Sequence, residues 1–248
     1  MCVTCGCGTA TTHNHTHASE NQGHFGTKTV MEVEKDILYE NNLLAQRNRG
    51  YFEGKNIYCL NLVSSPGSGK TSLLEKTLTD LKQELNFAVI EGDQQTSFDA
   101  DRIAATGTKV TQINTGKGCH LDAHMILHAL QGMNLGHNLV LFIENVGNLV
   151  CPSMFDLGES LRVVVISTTE GDDKPLKYPD MFYTSDVCVV NKTDLLPYVS
   201  FDMEKVRTNA LRINPNLRFF EVSCTTGEGL QEWYDWLKTT VTQSLQPQ

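Results

Sequence analysis

Residues 64–72 read SSPGSGKTS and stand between the apolar run IYCLNLV (57–63) and an apolar stretch of helical spacing. A strand that ends in such a turn and reopens as a helix converges backbone N–H groups on phosphate oxygens. In the stretch Gly67, Ser68, Gly69, Lys70, Thr71 and Ser72, the glycines permit the tight turn. Lys70 brings charge to the β- and γ-phosphates, and Thr71 brings a hydroxyl for Mg2+. Ser64 occupies the place where the usual pattern has its first glycine.

The rest of the chain repeats that alternation of strand and helix. Short apolar runs at 57–63, 87–91, 109–114, 138–143, 162–167, 187–191 and 218–222 are predicted strands, with helical stretches between several of them. Several are continuously apolar, as expected where helices cover both faces of a parallel sheet. The predicted fold is α/β, a mostly parallel P-loop NTPase sheet with helices on both faces over residues 51–248. The last helix should run from Leu230 to about Val241. Before the sheet, residues 28–50 carry Val30, Val33, Ile37 and Leu44 at helical spacing, with Gly50 as the predicted stop. Residues 1–27 hold cysteines and histidines with almost no large apolar side chain, so this stretch should be a flexible metal-binding tail.

NKTD (191–194) ends a later strand, where a base-binding loop belongs in an open sheet. Asp194 can accept from N1–H and the exocyclic amine of guanine, a donor pair that adenine lacks. Asn191 would brace this loop, the stem of Lys192 would cover the base, and Ser223 in SCTTGEG (223–229) would support it. For magnesium or its water the candidates are Asp93 at the end of one strand and Glu144 in IENVG (143–147). Asp99 and Asp101 are weaker candidates, because helix capping explains Asp99 equally well. Gly147 offers a backbone N–H to a γ-phosphate. No glutamine or arginine stands out for orienting attacking water, so intrinsic hydrolysis should be slow.

GKGCHLDAH (117–125) sets two good metal ligands, Cys119 and His120, side by side. His124 follows one helical turn later. Cys119 and His120 should open the helix after the third strand, where a helix N-terminus favours thiolate. Cys151 stands four residues beyond Gly147, so Cys119, His120 and Cys151 should converge on one ion, with water or a twofold-related chain as a fourth ligand. Cys59 and Cys188, inside apolar strands, read as core residues. At the N-terminus, Cys2, Cys5 and Cys7 form a CxxCxC pattern. With the terminal amine they would make a four-donor set suited to square-planar Ni2+, whereas Zn2+ prefers a tetrahedron. His13, His15 and His17 could store or relay metal, or form a solvated linker.

The formal net charge of −9 disfavours nucleic acid and anionic membranes as partners. No stretch is long and apolar enough to span a bilayer, and the N-terminus lacks the basic and apolar regions of a signal peptide. A cytoplasmic location is therefore expected, where the eight cysteines would be thiols or metal ligands.

Together CxxCGC, SSPGSGKT, EGDQQTSFDADRI, NTGKGCHLDAHMI, ENVGNLVCPSMFDLGE and NKTDLLPY resemble the HypB family, the hydrogenase nickel-incorporation GTPases of the SIMIBI class. That resemblance spans nearly the whole chain. It implies GTP/GDP and Mg2+ as cofactors, a homodimer with nucleotide, and nickel delivery to a [NiFe]-hydrogenase large-subunit precursor with a HypA-type nickel chaperone. It maps a nickel motif onto Cys2, Cys5 and Cys7, and a nickel or zinc site onto Cys119, His120 and Cys151. Two other readings compete. One is a metal storage or buffering protein with a vestigial nucleotide site, which the intact Lys70, Thr71 and Asp194 oppose. The other is a small-molecule kinase, which NKTD opposes.

Overall fold

The computed structural model describes residues 29–94 and 97–245. Strands β1 (Ile57–Ser64), β2 (Phe87–Asp93), β3 (Lys109–Asn114), β4 (Leu139–Gly147), β5 (Leu161–Ser167), β6 (Val187–Asn191) and β7 (Arg218–Glu221) form one sheet in the order β3-β2-β4-β1-β5-β6-β7. All six neighbouring pairs are parallel. The helices are α1 (Val30–Lys55), α2 (Lys70–Leu81), α3 (Phe98–Ala105), α4 (Ala123–Gly132), α5 (Lys174–Lys177), α6 (Pro179–Tyr183), α7 (Met203–Ile213) and α8 (Leu230–Ser244).

The apolar strands follow from burial on both faces. Leu60 and Leu62 of β1 pack with Leu73, Leu74 and Leu78 of α2 and Trp233 of α8. Their neighbour Cys59 packs on the other face with Phe52 of α1 and Ile126 and Leu130 of α4. Cys188 likewise sits in a core with Phe182 and Val206. The predicted core role of both thiols holds, and burial pushes each thiol pKa well up.

Three boundaries differ from expectation by three residues or more. Strand β4 runs four residues past the predicted end at 143, through Gly147, which brings the acidic segment into the sheet. Helix α8 continues to Ser244. Helix α1 does not stop at Gly50 but ends at Lys55, where Asn56 adopts a left-handed conformation (φ 53°) as its cap. Gly50 costs a helix about 1 kcal/mol relative to alanine. Burial of Ala45, Asn48 and Phe52 on either side outweighs that cost. The start of α1 is fixed by a capping box between Thr29 and Glu32.

Helix α1 is docked onto the segment before β5. Asn48 Nδ2 donates to the carbonyls of Ala123 and Leu157, and Arg49 pairs with Asp156 at 3.0 Å. Gly158 makes the close approach possible: its φ is +90°, and a Cβ there would stand 2.6 Å from the Ala45 carbonyl oxygen. Gly158→Ala is expected to destabilise the fold by about 3 kcal/mol, through backbone strain plus overpacking. Urea unfolding of both proteins measures it; an unchanged midpoint would mean α1 contributes nothing to global stability.

Candidate nucleotide and metal site

Ser64 is the last residue of β1, so the extended backbone there needs no glycine. Beyond it the loop turns sharply, and Gly69 (φ +90°) leads into α2. A side chain at Gly69 would collide with Asn191 Nδ2. The loop borders a cavity of about 560 Å³, walled also by Glu91, Asp93, Gln94, Arg102 and Lys192.

Glu144, 1% exposed, is bonded to two residues of this cavity's wall, Lys70 and Thr71. Its Oε1 accepts from Lys70 Nζ at 2.8 Å and from Thr71 Oγ1 at 2.5 Å. Its Oε2 has no hydrogen-bond partner among the described residues. Glu91 lies opposite Glu144 in the β2–β4 register, is 2% exposed, and also has an unpartnered Oε2. Burial, and then the charges of Glu144 and Asp93, push the Glu91 pKa up to about 8. Asp93 ends β2, half-buried in the cavity wall. Asp99 and Asp101 sit in the first turn of α3; Asp99 pairs with Arg102, and Asp101 accepts from Ser97 Oγ.

Sequence reasoning missed Glu91, because a glutamate in an apolar strand is informative only once its neighbour across the sheet is known. It also passed over Gln94 and Arg102, which the cavity wall contains. The Arg102 guanidinium donates to Glu75 at 2.6 Å and to Ser72 Oγ at 3.2 Å.

The base-loop candidates assemble around Asn191 at the end of β6. Its Nδ2 donates to the Ser68 carbonyl at 3.1 Å, while its Oδ1 accepts from the Lys192 and Cys224 amides. Lys192 is left-handed (φ 63°) and its Nζ donates to the Gly67 carbonyl. Ser223 Oγ donates to Asp194 Oδ1 at 2.6 Å, leaving the other carboxylate oxygen for a ligand.

Cys119, His120 and Cys151 come together, with their donor atoms all within 4.8 Å of one another. The Cys119 and Cys151 sulfurs are 3.0 Å apart, and Cys119 Sγ lies 3.8 Å from His120 Nδ1. The His120 ring stacks on Phe155 at 4.0 Å between centroids. Burial lowers the His120 pKa, opposed by Asp122, which favours the neutral, ligating imidazole. One expectation fails: Cys119 and His120 do not open a helix. They lie in the loop before α4, whose N-cap is Asp122, its carboxylate accepting from the Met125 amide. The helix N-terminus is therefore already occupied. Cys151 begins a short 3-10 turn, Cys151–Ser153. Cys2, Cys5, Cys7, His13, His15 and His17 lie outside the described residues.

Hydrogen bonds run from the phosphate cavity to the thiol cluster by two routes. Beside Glu144, Asn145 Oδ1 accepts from the Leu121 amide at 3.1 Å, and Asn148 Nδ2 donates to the Cys119 carbonyl at 3.3 Å. From β2, the Asp93 carbonyl accepts from the Thr115 amide, and Gln94 Nε2 donates to the Gly118 carbonyl. Gly147 packs on the phosphate loop itself, where a Cβ would be 3.2 Å from Pro66.

Residues 59–221 match the CobW/HypB/UreG nucleotide-binding domain. The hydrogenase maturation factor HypB of Rhizobium leguminosarum is 57% identical over 85% of this chain and 71% of its own length. That of Escherichia coli K12 is 56% identical over 86% and 73%. Among solved structures, HypB from Helicobacter pylori in complex with nickel superposes with a TM-score of 0.79 at 38% identity, covering 84% of this chain and 98% of that one. HypB from Archaeoglobus fulgidus gives 0.77 at 41%, covering 82% and 99%. A P-loop fold, a three-donor cluster beside it and relatives matched over most of their length converge on one assignment: the chain belongs to the HypB hydrogenase maturation factors.

Proposed function

We propose that this chain is a GTP-hydrolysing nickel metallochaperone for [NiFe]-hydrogenase maturation, in which nucleotide state and metal binding are linked. The observation that carries this reading is β4. Within five residues, its end and the residue that follows present Glu144 to Lys70 and Thr71, and Asn148 to the Cys119 carbonyl. A ligand that draws Glu144 or Gly147 toward the phosphates pulls on the same backbone that supports the metal ligands. Binding of nucleotide and metal then favour or oppose each other equally in both directions.

Magnesium fits the residues present, since Thr71 and Asp93 bring oxygen donors to one cavity and Glu144, bonded to Thr71 Oγ1, has a buried unpartnered oxygen just behind it. When bound, it would neutralise phosphate charge. Lys70 leaves its partner Glu144 to meet the γ-phosphate, the loop amides hold the β-phosphate, and Gly147 donates its N–H to the γ-phosphate. Asp194 reads guanine, with Ser223 holding the carboxylate in place and Lys192 over the base. Two thiolates and an imidazole suit nickel as cargo and also suit zinc. Water, or a second copy in a nucleotide-dependent dimer, completes the set. Cys2, Cys5 and Cys7 form a separate nickel site, a HypA-type chaperone exchanges the metal, and a hydrogenase large-subunit precursor receives it.

The test is nickel and zinc titration of wild type and Cys119→Ala, each with GDP and with a non-hydrolysable GTP analogue. Cys119→Ala should lose one metal equivalent, whose affinity in wild type differs between the two nucleotides, and retain the N-terminal one. Equal metal affinity in both nucleotide states of the wild type would sink the delivery reading and leave a GTPase carrying an unrelated ion.

A further inference from the structure

Four polar side chains outside the Cys119, His120 and Cys151 cluster lie buried along the central strands, one of them, Asn145, at the border of the phosphate cavity. Asn61 on β1 is 0% exposed, Asn145 on β4 1% and Arg162 on β5 6%; the Glu159 side chain, just before β5, is 7% exposed. They form one continuous line. Arg162 donates to Glu159 Oε1 through Nε (3.1 Å) and Nη2 (2.8 Å), and Asn61 Nδ2 donates to the same oxygen at 3.0 Å. Asn145 Nδ2 then donates to Asn61 Oδ1 at 3.3 Å.

The two ends of this line grip the two halves of the metal cluster. At one end, Arg162 donates to the carbonyls of Ser153 at 3.1 Å, on the turn that starts at Cys151, and of Phe155 at 2.9 Å, two residues past it. Phe155 carries the ring that stacks on His120. At the other end, Asn145 Oδ1 holds the amide of Leu121, the residue after His120. The strand register sets Asn61 directly beside Arg162, so the length of the line is fixed by the sheet. Buried polar groups are costly unless fully partnered, and an apolar set would pack here with less penalty. The side chains also converge on loops rather than on one another alone.

We infer that Asn61, Asn145, Glu159 and Arg162 are positioning residues for the metal cluster, fixing the distance of Cys119 and His120 from Cys151. The inference rests on the reading that those three residues bind metal. Ligand-orienting partners outside the coordination sphere change affinity by about 10–100-fold when removed. Arg162→Lys keeps the charge opposite Glu159 but lacks the planar fork that reaches two carbonyls at once. Asn61→Ser removes the central link.

The test uses the full chain with nickel alone as the probe, following thiolate-to-nickel charge-transfer absorption, with Cys119→Ala subtracted to remove the N-terminal contribution. Arg162→Lys should weaken the internal site about tenfold and shift its absorption band, with affinity for a GTP analogue unchanged. Asn61→Ser should move both readouts in the same direction, and it carries the test if Arg162→Lys does not fold. Wild-type affinity and an unshifted band in a folded variant, alongside loss of signal in Cys119→Ala, would overturn the positioning role. If Cys119→Ala leaves the nickel signal whole, the metal reading itself fails, and the positioning role with it.

Discussion

Lys70→Ala is expected to reduce GTP hydrolysis by at least about a hundredfold, the scale for losing one preorganised charge at a reacting phosphate or oxyanion. It should also destabilise the nucleotide-free protein. Lys70 and Glu144 are paired at 2.8 Å, with side chains 10% and 1% exposed. Removing the lysine leaves a buried carboxylate with Thr71 as its partner, a loss of about 3 kcal/mol for broken buried pairs. The two effects separate in a double-mutant cycle. Glu144→Gln in the Lys70→Ala background should restore much of the stability, because the uncompensated charge is gone, and none of the hydrolysis. Thermal unfolding and phosphate release on the four proteins provide the check. Recovery of hydrolysis in the double variant would show that Glu144 restrains turnover instead of serving it.

The second large effect concerns the base. Asp194→Asn is expected to lower GTP affinity by at least about a hundredfold, because an amide nitrogen then faces the guanine donors. Affinity for xanthosine triphosphate, which has an oxygen in place of the exocyclic amine, should rise. Ser223 Oγ donates to Asp194 Oδ1 at 2.6 Å, and Asn at 194 retains an oxygen for that bond, so the loop itself should persist. Fluorescent-nucleotide titrations with GTP, ATP and xanthosine triphosphate measure the shift. Unchanged GTP binding would remove the basis for assigning guanine and revive the kinase reading.

What could be read in the chain was whatever has a short period or a fixed local motif. Strands such as VCVVN (187–191) showed themselves because both of their faces are buried, and SSPGSGKTS because a phosphate cradle is contiguous. Features that depend on register were invisible. Glu91 acquires meaning only opposite Glu144, and Arg162 only beside Asn61. The end of α1 was misplaced because Gly50 is a local stop signal overruled by packing on both sides, while the true cap is an asparagine. The apolar spacing of Val30, Val33 and Ile37 did report a helix, but all three are exposed, so periodicity there does not mark a core. For Cys119 and His120 the convergence was legible, but their place in a loop was not, because Asp122 is the residue whose side chain caps α4.

Strand order has a consequence for biosynthesis. Strand β1 is flanked by later elements, Ile57 pairing with Leu139 and Leu60 with Leu161. A nascent chain that has emerged only to Gly132 therefore has Lys70 without Glu144, and Cys119 without Cys151. Pairings this distant in sequence form late and slowly. Lys70 and Cys119 both gain their later partners only once β4 and the turn that follows it are in place between and beyond β2 and β1. Until then the half-made cluster offers a passing ion no chelate from its third donor.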